Sequence, residues 1–246
     1  MSIKKRYIVV ACEVIYRELC AAAAENDNPV DMYFVRQALH SVGSIQMPIE
    51  LQAILDKIDS SQYEAILLGY GLCNNGTCGL VADIPIVIPR AHDCITLLMG
   101  SKEAYREYFD KNPGTMYSTS GWMDLTSDFT DDDIYGEAKY QEFVELYGED
   151  AAEFVKETLF SFEEHYHKYC FINTGVGSTA EVRQSVINQA EELGWEFEEI
   201  HGSDTLFKHL IAGNWPQEEF IVIEPGHIAK PSFHDDIFKQ EPAVEL

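Results

Sequence analysis

The sequence predicts an α/β protein built as two Rossmann-like lobes, with mainly parallel sheets and an acidic helical segment in the middle. Strand-sized apolar runs alternate with stretches of helical period, the pattern of parallel strands joined by crossover helices. Most of these runs end in turns containing glycine, proline or cysteine. The length of 246 residues and a hydrophobic fraction of 46% suffice for one large α/β domain or two small ones.

The first run, Tyr7–Cys12, has no polar alternation and predicts a buried strand, followed by a helix through Tyr16, Leu19 and Cys20. Asp31–Leu39 predicts a second strand. Pro48 at a first turn, with Ile49, Leu51, Ile54, Leu55 and Ile58 behind it, predicts a helix over 48–58. Tyr63–Leu68 predicts a strand that runs into Gly69-Tyr70-Gly71-Leu72-Cys73-Asn74-Asn75-Gly76. Ile84–Ile88 predicts another, running into Pro89-Arg90-Ala91-His92-Asp93-Cys94. A helix is expected from Ser101, with Glu103 favourably placed in its first turn. Residues 112–133, rich in turn formers and aromatics, read as an elaborated loop or small hairpin acting as a lid or crossover. Helical pattern resumes over 138–167.

A second α/β set follows. Tyr169–Asn173 is a strand ending at Thr174-Gly175-Val176-Gly177-Ser178, Thr179–Leu193 a helix, and Trp195–Ile200 a strand. Thr205–Ala212 is a short helix, and Phe220–Ile223 is a last strand ending at Pro225-Gly226. The expected organisation is a lobe over 1–130 carrying a Cys/His site, and an acidic helical segment plus a second α/β lobe over 131–246.

Charge removes whole classes of partner. Residues 1–130 hold 16 acidic and 10 basic side chains, and residues 131–246 hold 26 and 7, so most of the excess lies in the second half. A net charge of -25 repels phosphate backbones and anionic lipid, which argues against nucleic acid and against a membrane surface. No apolar run approaches the length of a membrane span. The basic start Lys4-Lys5-Arg6 is followed by an apolar run broken at Glu13 and Arg17, which does not make a signal peptide. A cytoplasmic location is expected, and with it reduced cysteines.

Of the six cysteines, Cys20 and Cys170 read as small buried residues within regular elements, and Cys78 as a loop thiol. Cys12, Cys73 and Cys94 each follow a predicted strand, and ligands of open α/β sheets bind outside those ends. Three thiols on one edge, with His92 two residues from Cys94, offer a metal set of sulfur and nitrogen ligands. Zinc is preferred because imidazole is a common zinc ligand. An iron–sulfur cluster on the three cysteines is the alternative, and three buried thiols with no ligand are the bland reading. Around that set, Arg90 is the candidate to hold an anionic substrate, Asp93 to orient the imidazole, and Tyr70 to wall the pocket, with Tyr117 and Trp122 as further aromatic walls. Gly69, Gly71, Asn75 and Gly76, and also Gly175 and Gly226 at later strand ends, are candidates for close backbone approach to a cofactor or anion. His165-Tyr166-His167 reads as a solvated helix end.

These residues carry a family resemblance. Ala11-Cys12, Leu39-His40 with Pro48, Gly69-Tyr70-Gly71-Leu72-Cys73-x-Asn75-Gly76-x-x-Gly79-Leu80, and Pro89-Arg90-x-His92-Asp93-Cys94-Ile95-x-Leu97-Leu98-x-Gly100-Ser101 resemble the pattern of the bacterial and archaeal proteins called domain of unknown function 1638. Pro113-Gly114-Thr115-x-Tyr117, Gly121-Trp122, Gly213-x-Trp215 and Pro225-Gly226 continue the likeness over nearly the whole chain. The family pattern contains Cys12, Cys73 and Cys94 but not Cys78. The resemblance implies a setting in anaerobic one-carbon metabolism, near corrinoid-dependent methyltransferases, and assigns no activity. His-x-Cys also occurs in the zinc motif of corrinoid-linked methyltransferases of a different fold.

Two classes of function are therefore expected. One is a metal-dependent enzyme that activates a small thiol or similar nucleophile for methyl transfer, with a cluster-bearing lyase or desulfurase as its variant. The other is a non-catalytic metal, cofactor or corrinoid carrier docking on a methyltransferase through the acidic half. An enzyme requires an open coordination position in a cleft, whereas a carrier closes the site with a fourth protein ligand.

Overall fold

A computed structural model describes residues 4–36, 43–125, 166–177, 179–232 and 234–243, with a few single positions between 140 and 149. The expected acidic helical stretch over 138–167 lies almost entirely outside the described residues. The expectation of an α/β protein with mainly parallel sheets holds. Among the described residues no helix is long and apolar enough to cross a membrane.

One unit comprises Met1–Glu107 and His201–Leu246. Its central strand, β1 (Tyr7–Cys12), pairs in parallel with β2 (Val30–Val35) on one side and β3 (Ala65–Gly69) on the other. β4 (Ile86–Pro89) follows in parallel beside β3. The uninterrupted apolar runs of β1 and β3 reflect strands covered on both faces: Val9, Val10, Leu67 and Leu68 are fully buried. The last strand of the expected second set, β8 (Phe220–Ile223), instead closes this sheet antiparallel to β4, giving the order β2-β1-β3-β4-β8. That placement covers the edge β4 would otherwise expose.

Helix α1 (Tyr16–Ala24) follows a 3-10 turn after β1 and packs against α7 (Thr205–Ala212). Tyr7 of β1 reaches the turn after α7, where its ring meets Trp215 edge-on at 5.5 Å. Helix α2 spans Gly43–Leu55, starting before the expected Pro48, so that the proline sits inside the helix and removes one internal hydrogen bond. After β4 come two helices where one was expected, α3 (Cys94–Met99) and α4 (Lys102–Lys111), separated by Gly100 with a left-handed φ of 84°. A hairpin that the sequence reading lacks, β9 (His227–Pro231) and β10 (Phe238–Pro242), follows β8.

The other unit is Tyr108–Ile200. Its sheet has the order β5-β6-β7, with β5 (Thr115–Ser118) parallel to β6 (Lys168–Asn173), and β7 spanning Glu196–His201. Residues 115–118 are thus a strand of a parallel sheet rather than part of an elaborated loop or small hairpin. The segment is short, and only its two ends, Thr115 and Ser118, are buried, which leaves almost no periodicity to read. Helix α5 (Ser120–Leu125) follows β5, and α6 (Thr179–Leu193) links β6 to β7. Tyr169, Phe171, Val186 and Ala190 form the core of this unit, with Trp195 and Phe197 packed against it.

Candidate functional site

The strand order reverses between β1 and β3, because the chain leaves β1 towards β2 on one side and returns as β3 on the other. The crevice outside the carboxyl ends of two such strands is where an open α/β sheet binds ligands. Cys12 is the last residue of β1, Tyr70-Gly71-Leu72-Cys73 leaves β3, and Cys94 opens α3 just past β4. The loops after β3 and β4 continue the pairing of their strands. The N–H groups of Leu72 and Cys73 donate to the carbonyls of Ala91 and His92, both at 2.8 Å. Three neighbouring parallel strands therefore place Cys12, Cys73 and Cys94 at one edge of the sheet.

The three sulfurs are enclosed and share one electrostatic environment. Cys12 is 8% and Cys73 7% exposed, and Cys94 is half-buried. Burial pushes the Cys12 thiol up to about 11 and the Cys73 thiol up to about 12. Cys94 is raised well above the ordinary thiol value, by burial first and then by Cys12, Asp93 and Cys73. None of these influences is a neighbouring cation, so each thiol is neutral at pH 7. As placed, no three described His, Cys, Asp or Glu side chains form a set that could hold a metal ion. The thiols converge without closing on a common point.

Tyr70 completes the cluster. It is 3% exposed, interacts electrostatically with Cys12, Cys73 and Cys94, and its hydroxyl has no hydrogen-bond partner among the described residues. A buried unsatisfied hydroxyl costs about 1–3 kcal/mol, a penalty that phenylalanine would avoid.

Local backbone strain sits at the same place. Cys73, Asn74 and Asn75 have φ of 46°, 55° and 67°, three consecutive residues in the left-handed region. Each costs roughly 1–2 kcal/mol, somewhat less for Asn. The Asn-Asn-Gly triplet is the sequence signal for such a turn, and the sequence reading did not use it. It also missed Thr77, which is fully buried and donates from its hydroxyl to the Gly71 carbonyl at 2.9 Å, tying the turn back onto its own start.

The other expected site residues have identifiable positions. Asp93 is the N-cap of α3, its Oδ1 accepting from the Thr96 N–H at 3.1 Å and the Thr96 hydroxyl at 3.2 Å. The His92 side chain is exposed, and its backbone carbonyl rather than its ring is what meets the Cys73 loop. Arg90 was expected to hold an anion, but its guanidinium donates to four backbone carbonyls, those of Gln217, Phe220, Asp236 and Phe238. What the geometry gives Arg90 is a brace between the end of β4, β8 and the terminal hairpin.

Gly69, Gly71 and Gly76 serve the protein's own packing. A Cβ at Gly69 would meet the Ala11 side chain, one at Gly71 would lie 2.6 Å from the Ala91 carbonyl oxygen, and one at Gly76 would meet Met47. Asn75 is exposed. Gly226 turns the chain between β8 and β9, and Gly175 follows β6 in the other unit, where its N–H donates to Asn173 Oδ1 at 2.9 Å. Tyr117 and Trp122 also belong to that unit. A separate hollow of about 250 Å³, lined by Ile8, Val10, Tyr33, Ile54, Ile58 and Tyr63 among others, contains none of the three thiols.

Residues 34–211 match the family described as protein of unknown function (DUF1638). No curated protein and no solved structure matches the chain.

Proposed function

We propose that this chain, which belongs to the DUF1638 family, is a metal-dependent enzyme that activates a small thiol or similar nucleophile for methyl transfer. Cys12, Cys73 and Cys94 would hold the ion, zinc by preference. The observation that supports this best is the placement of Cys12, Cys73 and Cys94, with a buried hydroxyl that has no partner among the described residues, at the crevice where the strand order reverses. Metal-free thiol chemistry is less well supported, because an active thiolate needs a nearby positive charge. Arg90 is engaged by carbonyls, and the His92 side chain is exposed.

Three thiols are the donor type of a thiophilic ion, and holding one would require their side chains to move from where they stand. When bound, such an ion supplies the charge that lowers the pKa of a thiol. The protein's own part is placement. Asp93 caps the helix that begins with Cys94, Gly71 lets the two loops close on each other, and the left-handed turn aims Cys73. The activated sulfur would take a methyl group from a donor such as a methyl-corrinoid protein, the donor leaving with the bonding pair. In this reading each unit is a Rossmann-like lobe, and the acidic half is the docking face for the methyl donor.

The test is the metal and sulfide content of protein purified without oxygen, compared with Cys73→Ala. The proposal expects about one zinc per chain and its loss in the variant. Iron with roughly equal sulfide would move the site to cluster chemistry. A metal-free protein unaffected by the substitution would overturn the proposal.

A further inference from the structure

We propose that the hollow of about 250 Å³ between α2 and the β1–β2 edge of the first sheet binds a small monocarboxylate with an apolar body, about ten heavy atoms in all. None of Cys12, Cys73 and Cys94 lines this hollow, so its ligand is separate from any metal at the thiols. The floor follows from strand register. Ile8 and Val10 alternate along β1 and so share a face, and Tyr33 of β2 stands beside Val10 in the parallel pairing. The opposite face of β2 is taken by α1, where Phe34 meets the Tyr16 ring at 6.2 Å and Met32 approaches Cys20. The roof is Ile54 near the end of α2, Ile58 in the turn after it, and Tyr63 from the segment leading into β3. Val10 is fully buried, whereas Ile8, Ile54, Ile58 and Tyr63 are half-buried and Tyr33 is 52% exposed. Aliphatic and aromatic surface is thus left facing an open concavity, the arrangement of a small-molecule site rather than of a closed core.

Volume and lining set the ligand. An apolar cavity of about 150 Å³ holds benzene, so this one accommodates roughly ten heavy atoms. The polar groups of the lining choose the head. The Asp59 carboxylate is taken up within its own turn: Oδ1 accepts from the Ser61 N–H at 3.2 Å and hydroxyl at 2.6 Å, and Oδ2 from the Gln62 amide at 2.8 Å. The Tyr63 hydroxyl donates to Asp31 at 2.6 Å, and Asp31 is itself paired with Arg6 at 2.7 Å. Lys57 lines the same hollow and is exposed, which puts its ammonium at the rim. A cation on a flexible stem over an apolar floor suits a compact anion, and a carboxylate on a short chain has that form. Repulsion from the chain's net charge of -25 is screened beyond about 8 Å at physiological salt, so the ammonium at the rim decides the sign of the head. A cationic head would face Lys57 and be repelled.

The experiment is calorimetric titration of the full chain with octanoate, octanol and octylammonium, with the methyl NMR signals of Ile8, Ile54 and Ile58 followed in parallel. Octanoate should bind more tightly than either of the others and shift those three methyl groups. Hexanoate should bind roughly tenfold more weakly, from the loss of two buried methylenes, and chains longer than octanoate should gain less than about threefold because the hollow is full. Lys57→Glu, a change at an exposed position, should weaken octanoate about fivefold or more and leave octanol within about twofold. Ile54→Trp, which fills the hollow, should abolish octanoate binding with the circular dichroism unchanged; if that variant does not fold, Lys57→Glu and the chain-length series decide. Failure of octanoate to bind at millimolar concentration would overturn the proposal. So would octanol or octylammonium binding as tightly, methyl shifts outside the hollow, or affinity that climbs steadily through dodecanoate, the mark of detergent-like adsorption.

Discussion

Arg90 offers the sharpest test of how the sheet is held. Its Nε donates to the carbonyls of Gln217 at 2.7 Å and Phe220 at 3.2 Å, and its Nη1 donates to Phe238 at 2.8 Å and to Asp236. The Arg90 backbone N–H donates to the Glu219 carbonyl at 2.7 Å, so backbone and side chain together tie the end of β4 to the entry of β8. Phe220 and Phe238 are each 1% exposed, whereas Gln217 and Asp236 lie where water can reach them. In Arg90→Ala two carbonyls thus lose a charged partner inside the protein and two recover hydration. Hydrogen bonds to charged groups contribute about 1.5–3 kcal/mol when the partner is left buried, and losses at one side chain are not additive, so the expected destabilisation is about 2–4 kcal/mol. For a chain of this size that corresponds to a fall in Tm of roughly 5–15 °C. Thermal unfolding gives the magnitude, and hydrogen exchange gives the location: amides of Ile221–Ile223 and of the β9–β10 hairpin should lose protection first. Arg90→Lys should recover less than half of the loss, because one ammonium cannot reach all four oxygens. A change below about 0.5 kcal/mol, with exchange in β8 unaltered, would refute the bracing role.

Three further outcomes follow from the same geometry. Gly71→Ala should destabilise by about 1–3 kcal/mol, because the added Cβ meets backbone at Ala91 and Asp93 that cannot swing away; chemical denaturation reads it. Asp93→Ala should lose about 1 kcal/mol through the α3 cap, with Asp93→Ser retaining most of it in the same assay. Asp31 is held below its usual range by hydrogen bonds from the Tyr63 hydroxyl first and then from Arg6. Its contribution is present above the unfolded-state value of about 4 and disappears as the pH falls through the lower folded value. Wild type should therefore lose stability over that acid window, and Asp31→Asn should show a smaller loss across it.

The convergence of Cys12, Cys73 and Cys94 is legible in the sequence because it follows from topology. Each ends an apolar run, and parallel strands put their ends on one edge. β1, β3 and β4 are legible for the same reason, since Val9, Leu67 and Val87 belong to uninterrupted apolar stretches. The place of β8 is not. Phe220–Ile223 is plainly a strand, but its membership of the first sheet depends on pairing with β4 across more than a hundred residues. Arg90 misleads in a related way, because a positive charge beside a presumed pocket reads as an anion site until the carbonyls of a distant segment are seen to occupy it. β5 and β10 carry too few buried side chains to leave a pattern, and Ile237 with its φ of 62° shows that the turn before β10 is set by tertiary contact rather than by residue preference. Tyr70 is visible as an aromatic residue in a glycine-rich loop, yet only the folded chain reveals that its hydroxyl has no partner among the described residues.

X-ray absorption at the zinc edge of the metal-loaded full chain tests the central claim most directly. Three sulfur neighbours at about 2.3 Å, falling to two in Cys73→Ser and unchanged in Cys78→Ser, are what three converging thiolates predict. A shell of nitrogen and oxygen alone, or a sulfur count that ignores Cys73, would contradict them.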